Sequence, residues 1–277
     1  MLRPKRKVVV GGKEITFDNH KIEPVIKNEN SFNPHSNVIR NRIPFWVKIT
    51  PESLSEAEVF SRKMAFGDGY SRAVRWGGSV DRSRHEKYAD NLQGKLSEFA
   101  FFELCQSQGV HVEKPDCTVM KRGKWDDGDF IISGKNISIK SSMLRSKLLL
   151  MECAAYRDDG YELNFRPPKR IDMILMYRIA LSEGEFGHKT SVLYYFDEKN
   201  KTGNEDISNM WAWADLCGYI TNADFCYLTA NGFKKRIGET ILPESPIVMD
   251  ADNYWISVGD MRNPRFLFED LKQLSSE

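Results

Sequence analysis

The segment Trp125-Asp-Asp-Gly-Asp-Phe-Ile-Ile-Ser-Gly-Lys-Asn-Ile-Ser-Ile-Lys140 spaces an acid, a hydroxyl and an amine so that a β-hairpin can bring them together. A two-residue turn at Gly134-Lys135, with glycine first, suits a type II′ hairpin and sets Asp129 directly across from Lys140. Because side chains alternate, Phe130, Ile132, Ile137 and Ile139 then share one face, and Asp129, Ile131, Ser138 and Lys140 share the other. The first face is core. The second is either an ordinary cross-strand ion pair, stabilising by a few tenths of a kcal/mol to about 1 kcal/mol, or the start of a site that holds a cation. The helix that precedes it carries two more acids, Glu98 beside Phe101, Phe102 and Cys105, and Glu103 between Leu96 and Phe99 on the wheel. A carboxylate among apolar neighbours is costly unless a cation or donor compensates it. Helix geometry does not choose between the two.

Gly94-Lys95-Leu96-Ser97-Glu98-Phe99, then Asp129-Phe130, then Ser138-Ile139-Lys140 resembles the PD-(D/E)xK nuclease superfamily, the type II restriction-endonuclease-like proteins, over roughly residues 88–235. The order in that family is helix acid, strand acid, then acid-x-Lys on the next strand, and Glu98, Asp129 and Lys140 match it. The resemblance implies an α/β fold with a mixed β-sheet core flanked by helices and N-terminal decoration. It implies a magnesium-dependent, sequence-specific endonuclease on double-stranded DNA, a type II restriction enzyme. Asp129, Glu98 and the backbone carbonyl of Ile139 would hold Mg2+, a hard cation that takes oxygen ligands, and Lys140 would orient or help deprotonate the attacking water. Where the family has its second acid this chain has Ser138, a weak neutral metal ligand. Some restriction enzymes with Ser-x-Lys recruit a glutamate downstream; Glu152 would fill that role if its helix packs beside the hairpin, Glu98 being the simpler source. Family behaviour further implies a homodimer and a possible cognate methyltransferase acting on the same site. A repair, phage or mobile-element nuclease of the same fold is the alternative, as is a DNA-binding module that has lost catalysis, because function rides on sites rather than on fold.

Several elements must position these groups. Thr50-Pro51-Glu52 reads as a helix start, since Thr can cap and Pro suits the first helical position, and this helix should run to about residue 64. Residues 92–106 are apolar almost all round the wheel, as in a helix buried on most faces. Strands are expected at 130–132, 137–140, 171–180, 191–196 and 225–228, and helical pieces at 206–217 and 263–274, which together make a mixed α/β sheet. Residues 1–45 form a poorly specified arm with a hairpin of 7–10 and 14–17 about Gly11-Gly12. Between the first two helices, residues 66–87 read as an ordered loop rich in glycine and arginine, with Tyr70 and Trp76. Arg72, Arg75, Arg82, Arg84 and Lys87 there are the candidate DNA contacts, because guanidinium forks bind phosphates and guanine edges. Arg145, Lys147 and the basic residues 5–7 are further phosphate candidates. Residues 1–87 thus read as an arm and DNA-contacting region, and 88–277 as the nuclease core.

Composition narrows the classes. The chain has 277 residues with 40 basic and 39 acidic side chains, which excludes a polybasic tail and an acidic solvating protein. The charge is segregated: 17 basic against 10 acidic residues up to Lys87, and 23 against 29 beyond it, an asymmetry that is worth a hypothesis and leaves nucleic-acid binding open. No apolar run approaches the ~18 to 20 residues of a membrane span, and the basic N-terminus lacks the apolar stretch of a signal peptide, so a cytoplasmic protein with no membrane partner is expected. The five cysteines form no Cys-x-x-Cys pair and the five histidines no His-x-x-x-His spacing, against structural zinc and a disulfide framework. Gly218-Tyr219-Ile220 matches half of a GIY-YIG signature without its partner tripeptide, and Gly11-Gly12-Lys13 lacks the spacing of a phosphate loop.

Overall fold

A computed structural model describes residues 6–10, 13–17, 21–25, 29–69, 81–119, 129–165, 167–196, 206–242, 245 and 247–274. The N-terminal arm holds the expected hairpin, β1 (Arg6–Val10) with β2 (Lys13–Phe17), followed by β3 (Lys21–Val25) lying parallel to β4 (Val38–Arg42), and by β5 (Val47–Lys48). Helix α1 (Pro51–Phe66) starts where Thr50 Oγ1 accepts from the Ser53 N–H at 3.3 Å. Helix α2 (Arg84–Ser107) starts earlier than the buried stretch suggested, at a reciprocal cap in which Ser83 Oγ accepts from Glu86 N–H and Glu86 Oε2 accepts from Ser83 N–H. That Ser-x-x-Glu signature was present in the sequence, and it turns the last part of the expected loop into helix. There follow β6 (Phe130–Ile132), β7 (Lys135–Met143), β8 (Leu148–Glu152), β9 (Tyr161–Glu162), β10 (Lys169–Arg170), β11 (Met173–Glu183), α3 (Val192–Tyr195), β12 (Met210–Thr221), α4 (Asn222–Ala230), β13 (Lys234–Lys235), β14 (Asn253–Ser257) and α5 (Leu267–Leu274).

The main sheet has the order β5-β12-β11-β7-β6, with β7 and β11 parallel and the other pairs antiparallel, so the mixed α/β class is as expected. The central strand β11 is buried along Met173–Ser182, the near-continuous apolar run of a strand covered on both faces. One face carries Ile137, Ile139, Leu175, Tyr177 and Ile179 and packs with Leu92, Leu96 and Phe99 of α2. The other carries Ile174 and Met176 and packs with Leu149 and Met151 of β8, Trp255 of β14 and Phe225 and Leu228 of α4. A second sheet, β13-β14-β8, therefore lies over the face away from α2.

Three elements differ from expectation. Residues 191–196 and 225–228 form parts of α3 and α4 rather than strands, since a short apolar run fits either state by period alone, and Thr221 with Asp224 makes a capping box that starts α4. Residues 210–221 form a strand rather than a helix: Ala212 and Ala214 go into the α2-side core while Trp211 and Trp213 stack on the other face with centroids 6.2 Å apart, a period of two hidden by the helix preference of alanine. The Gly-Tyr-Ile tripeptide sits within β12, where a Cβ on Gly218 would come within 2.8 Å of the Met261 Cβ, so its glycine serves close packing.

On the face away from α2 a buried ion pair fixes the N-terminal segment to the sheet. Arg178 of β11 lies across from Asp215 of β12, with Nε donating to Oδ2 at 2.8 Å. Its remaining donors reach Asn41 Oδ1, the Arg42 carbonyl and the Ser146 carbonyl, each at 3.3 Å, and Asp215 Oδ1 also accepts from the Phe45 N–H at 2.7 Å. Removing one partner of such a pair leaves a buried charge uncompensated, which costs about 3–5 kcal/mol. Arg178→Ala should therefore lower unfolding free energy by that amount in urea titration, and a change under about 1 kcal/mol, small on that scale, would show the pair to be dispensable.

Candidate active site

Strand alternation sends Ser138 and Lys140 to the face opposite Ile137 and Ile139, as the hairpin pattern required. The turn itself differs from expectation. It forms at Ser133-Gly134, both at positive φ (50° and 79°), the type I′ geometry. Phe130 therefore pairs with Ile137, and Asp129, one step beyond the strand, comes opposite Ser138 rather than Lys140. The shift is two residues, and an even shift leaves every side chain on its expected face.

Asp129 Oδ2 accepts from Ser138 Oγ at 3.3 Å and from the Ile139 N–H. On the β11 side of β7, the Asn136 carbonyl accepts from the Asp172 N–H and the Asn136 N–H donates to Asp172 Oδ2. Peptide groups alternate direction along a strand, so Ile139 turns both its N–H and its carbonyl to the β6 side, where Asp129 is. The Asp129 carboxylate and the Ile139 carbonyl thus share one edge of β7.

Lys140 is held by an acid from farther along the chain. Its Nζ lies 3.5 Å from Oε1 of Glu162, a carboxylate that is 4% exposed and also accepts from Asn164 Nδ2 at 2.8 Å. The same ammonium lies 5.7 Å from the centroid of the Tyr156 ring. Burial works against the Lys140 charge, but the Tyr156 hydroxyl and the Glu162 and Asp129 carboxylates outweigh it and hold its pKa above the ordinary lysine range. Burial pushes the Tyr156 hydroxyl above the ordinary phenol range, so it stays protonated. The result is an ammonium beside one carboxylate and within the field of a second, with about 30% of its side chain still open to solvent.

Glu162 is presented by a small ribbon. β9 and β10 pair antiparallel, with Lys169 across from Glu162 and Arg170 across from Tyr161. The ribbon is fastened at its root: Asn136 Nδ2 donates to the Arg170 carbonyl at 2.9 Å, Asn222 Nδ2 to the Ile171 carbonyl at 2.9 Å, and Leu163 N–H to the Ala155 carbonyl at 2.8 Å. Glu162 and Tyr156 are held side by side by an antiparallel bridge.

The other sequence candidates are distributed as follows. Glu98 sits in the α2 layer, on the side of the sheet away from the Lys140 side chain; its Oε2 is 2.5 Å from Lys95 Nζ, which also donates to the Asp116 carbonyl at 2.8 Å. Glu103, the rival helix acid, caps α1, accepting from Thr50 N–H, Thr50 Oγ1 and Ser53 Oγ. Glu152 ends a strand, β8, across from Asn253, and no helix carries it beside the hairpin; the Leu148–Met151 run is apolar because it packs into the core on the face of the main sheet away from α2. Arg82 is paired with Asp90 at 2.7 Å, Arg84 is exposed on the first turn of α2, Lys87 is half-buried one turn later, and Arg145 is exposed in the turn after β7. Arg72, Arg75, Tyr70 and Trp76 lie outside the described residues.

Glu162, Tyr156 and Asn164 were not singled out from the sequence. A Glu between Tyr161 and Leu163 has no local mark of burial, and only the long-range placement of the ribbon brings it to Lys140. Asp129, Glu162 and the Ile139 carbonyl offer oxygen donors only, the type that a magnesium ion takes, since this ion is commonly held by one or two carboxylates and keeps several waters. Among the described residues no three His, Cys, Asp or Glu side chains converge as a fuller cage. No family model, curated protein or solved structure matches the chain.

Gly160 controls the ribbon's root. Its φ is +81°, and a Cβ there would come within 2.0 Å of the Asn222 amide nitrogen. Left-handed backbone costs a residue with a side chain about 1–2 kcal/mol, and the displaced Asn222 loses its bonds as well. Gly160→Ala should lower unfolding free energy by at least about 1–2 kcal/mol in a denaturant titration; an unchanged midpoint would contradict a fixed root.

Proposed function

We propose that the chain is a magnesium-dependent endonuclease on double-stranded DNA, built on the restriction-endonuclease-like plan, with Asp129, Glu162 and Lys140 as its working groups. The observation that carries this reading is the Lys140 ammonium 3.5 Å from Glu162, with Asp129 fixed by Ser138 and the Ile139 N–H on the same face and near enough to help keep the amine charged. Glu162 stands in for the acid that Ser138 lacks, in the place given to Glu152 or Glu98 from sequence alone.

Asp129, Glu162 and the Ile139 carbonyl would hold Mg2+, which when bound supplies Lewis-acid stabilisation of phosphate oxygens and a more acidic water. Lys140, kept charged, is suited to offset negative charge on the phosphate and to orient the attacking water, and is poorly suited to accept its proton. Ser138 and the Ile139 N–H fix the Asp129 carboxylate. The Tyr156 hydroxyl, kept protonated, gives Lys140 a further polar neighbour.

Cleavage of both strands at a symmetric site calls for two copies related by a two-fold axis; a homodimer and a methyltransferase that protects the same site belong to the restriction form of the proposal. A repair, phage or mobile-element nuclease would use the same centre. Ser138 favours one further reading, a DNA-binding module without catalysis.

Supercoiled and linear plasmid incubated with the protein and magnesium should give discrete fragments, and calcium in place of magnesium should give none. Lys140→Ala and Glu162→Gln should each slow cleavage by at least about 10²-fold, the scale of losing one charge-stabilising group. Glu98→Gln and Glu152→Gln should cut at rates comparable with the unaltered chain. Retarded but uncut DNA under every condition would favour the binding module, and loss of cleavage in Glu98→Gln with none in Glu162→Gln would return the second acid to the helix.

A further inference from the structure

The β9–β10 ribbon brings more than an acid to Lys140. Residues 163–170, Leu-Asn-Phe-Arg-Pro-Pro-Lys-Arg, contain three basic residues and no acid, in a part of the chain where acids outnumber bases. Residues directly opposite in an antiparallel pair project from the same face, so Lys169 rises from the ribbon on the side where Glu162 meets Lys140. The Lys169 ammonium is steadied 5.2 Å above the Phe165 ring, a cation–π contact that restrains the side chain. Arg170 leaves from the other face and reaches Asn222 Oδ1 at 3.1 Å. Pro167 and Pro168 are exposed and stiffen the chain between the strands. With its root bonded to Asn136, Asn222 and Ala155, the ribbon holds Lys169 and Arg170 in place before any ligand arrives, which reduces the ordering cost of binding.

We propose that this ribbon is a backbone clamp for duplex DNA, with Lys169 contacting a phosphate that flanks the one presented to Lys140. The proposal rests on the nuclease reading for the identity of the ligand. A two-stranded ribbon fits the major groove of B-form DNA, and a ribbon seated there sets Lys169 toward one phosphate strand while Arg170 stays on Asn222 at the root. Acid and clamp then come as one unit: the hairpin that completes the cation-binding set also fixes which phosphate reaches it.

The test is binding of a fluorescein-labelled 30-base-pair duplex to the full-length protein in calcium, followed by anisotropy from 50 to 200 mM salt. Taking away one lysine–phosphate interaction should reduce the slope of log K against log salt by about 0.9, so Lys169→Ala should show that reduction while Lys169→Arg keeps the slope of the unaltered chain. Circular dichroism melts of both variants should match the parent, which separates weakened phosphate binding from a disturbed fold. An unchanged slope in Lys169→Ala, with the duplex still bound, overturns the clamp and leaves the nuclease reading standing. Absence of duplex binding by the unaltered protein at 50 mM salt overturns both. A slope change seen with a single strand or with duplex RNA, and not with duplex DNA, overturns the assignment of the ligand.

Discussion

Strand β7 gives one face to the core under α2 and turns a polar face toward the strands on the other side, and the site follows from that. Ile137 and Ile139 must enter the layer under α2, because burying them there is what joins helix to sheet. The pleat then forces Ser138 and Lys140 to the other face, between the main sheet and the strands that cover it. An amine sent to such a place is unfavourable unless carboxylates meet it. Asp129 meets it from the neighbouring strand end and Glu162 from the ribbon, and Ser138 spends its hydroxyl on keeping Asp129 in position.

Arg178 and Lys140 both leave the sheet on this face, and the saturation of their partners separates structure from chemistry. Arg178 is 2% exposed and its guanidinium is bonded to Asp215, Asn41, Arg42 and Ser146, so it can offer little to a newcomer. Lys140 stands 3.5 Å from Glu162, beyond a good charged hydrogen bond of about 2.7–2.9 Å. Its side chain remains open to solvent on one side. A cation fully wrapped by fixed partners is a rivet, whereas Lys140 keeps one longer contact and an open side. The same comparison accounts for Lys95 and Glu98, whose close contact within α2 and whose backbone partner at Asp116 make them a helix-to-loop fastening.

Legibility in the sequence followed the range of the interactions involved. The face pattern of β7, the α1 cap at Thr50 and the burial of α2 rest on neighbours a few residues apart and could be read directly. So could the placement of Asp129 and Lys140 on one face, because an even slip of register does not alter it. The type of turn could not, since Ser133 at positive φ competes with a glycine-first alternative and only tertiary contacts separate them. Strand β12 was masked by alanines that prefer helix in isolation but here pass beneath it. Glu162 was beyond reach because its role depends on Asn222 and Asn136 fastening a ribbon from opposite sides, a long-range arrangement with no periodicity to reveal it.

The serine at 138 bears on how such a centre can be built. A second carboxylate at that position would stand against Asp129 on the next strand, and two like charges at that range raise one another's pKa and need a cation between them to stay ionised. With serine there, Asp129 gains a donor instead, and the acid nearest Lys140 comes from the ribbon rather than from β7. The charge of Lys140 is then met by protein carboxylates alone. Moving the acid onto the ribbon has a further effect: its geometry becomes coupled to whatever the ribbon touches, so a ligand that shifts β9 and β10 shifts Glu162 relative to Asp129. Cation affinity and substrate engagement would then be linked through one hairpin, a coupling that a carboxylate fixed on β7 itself could not provide.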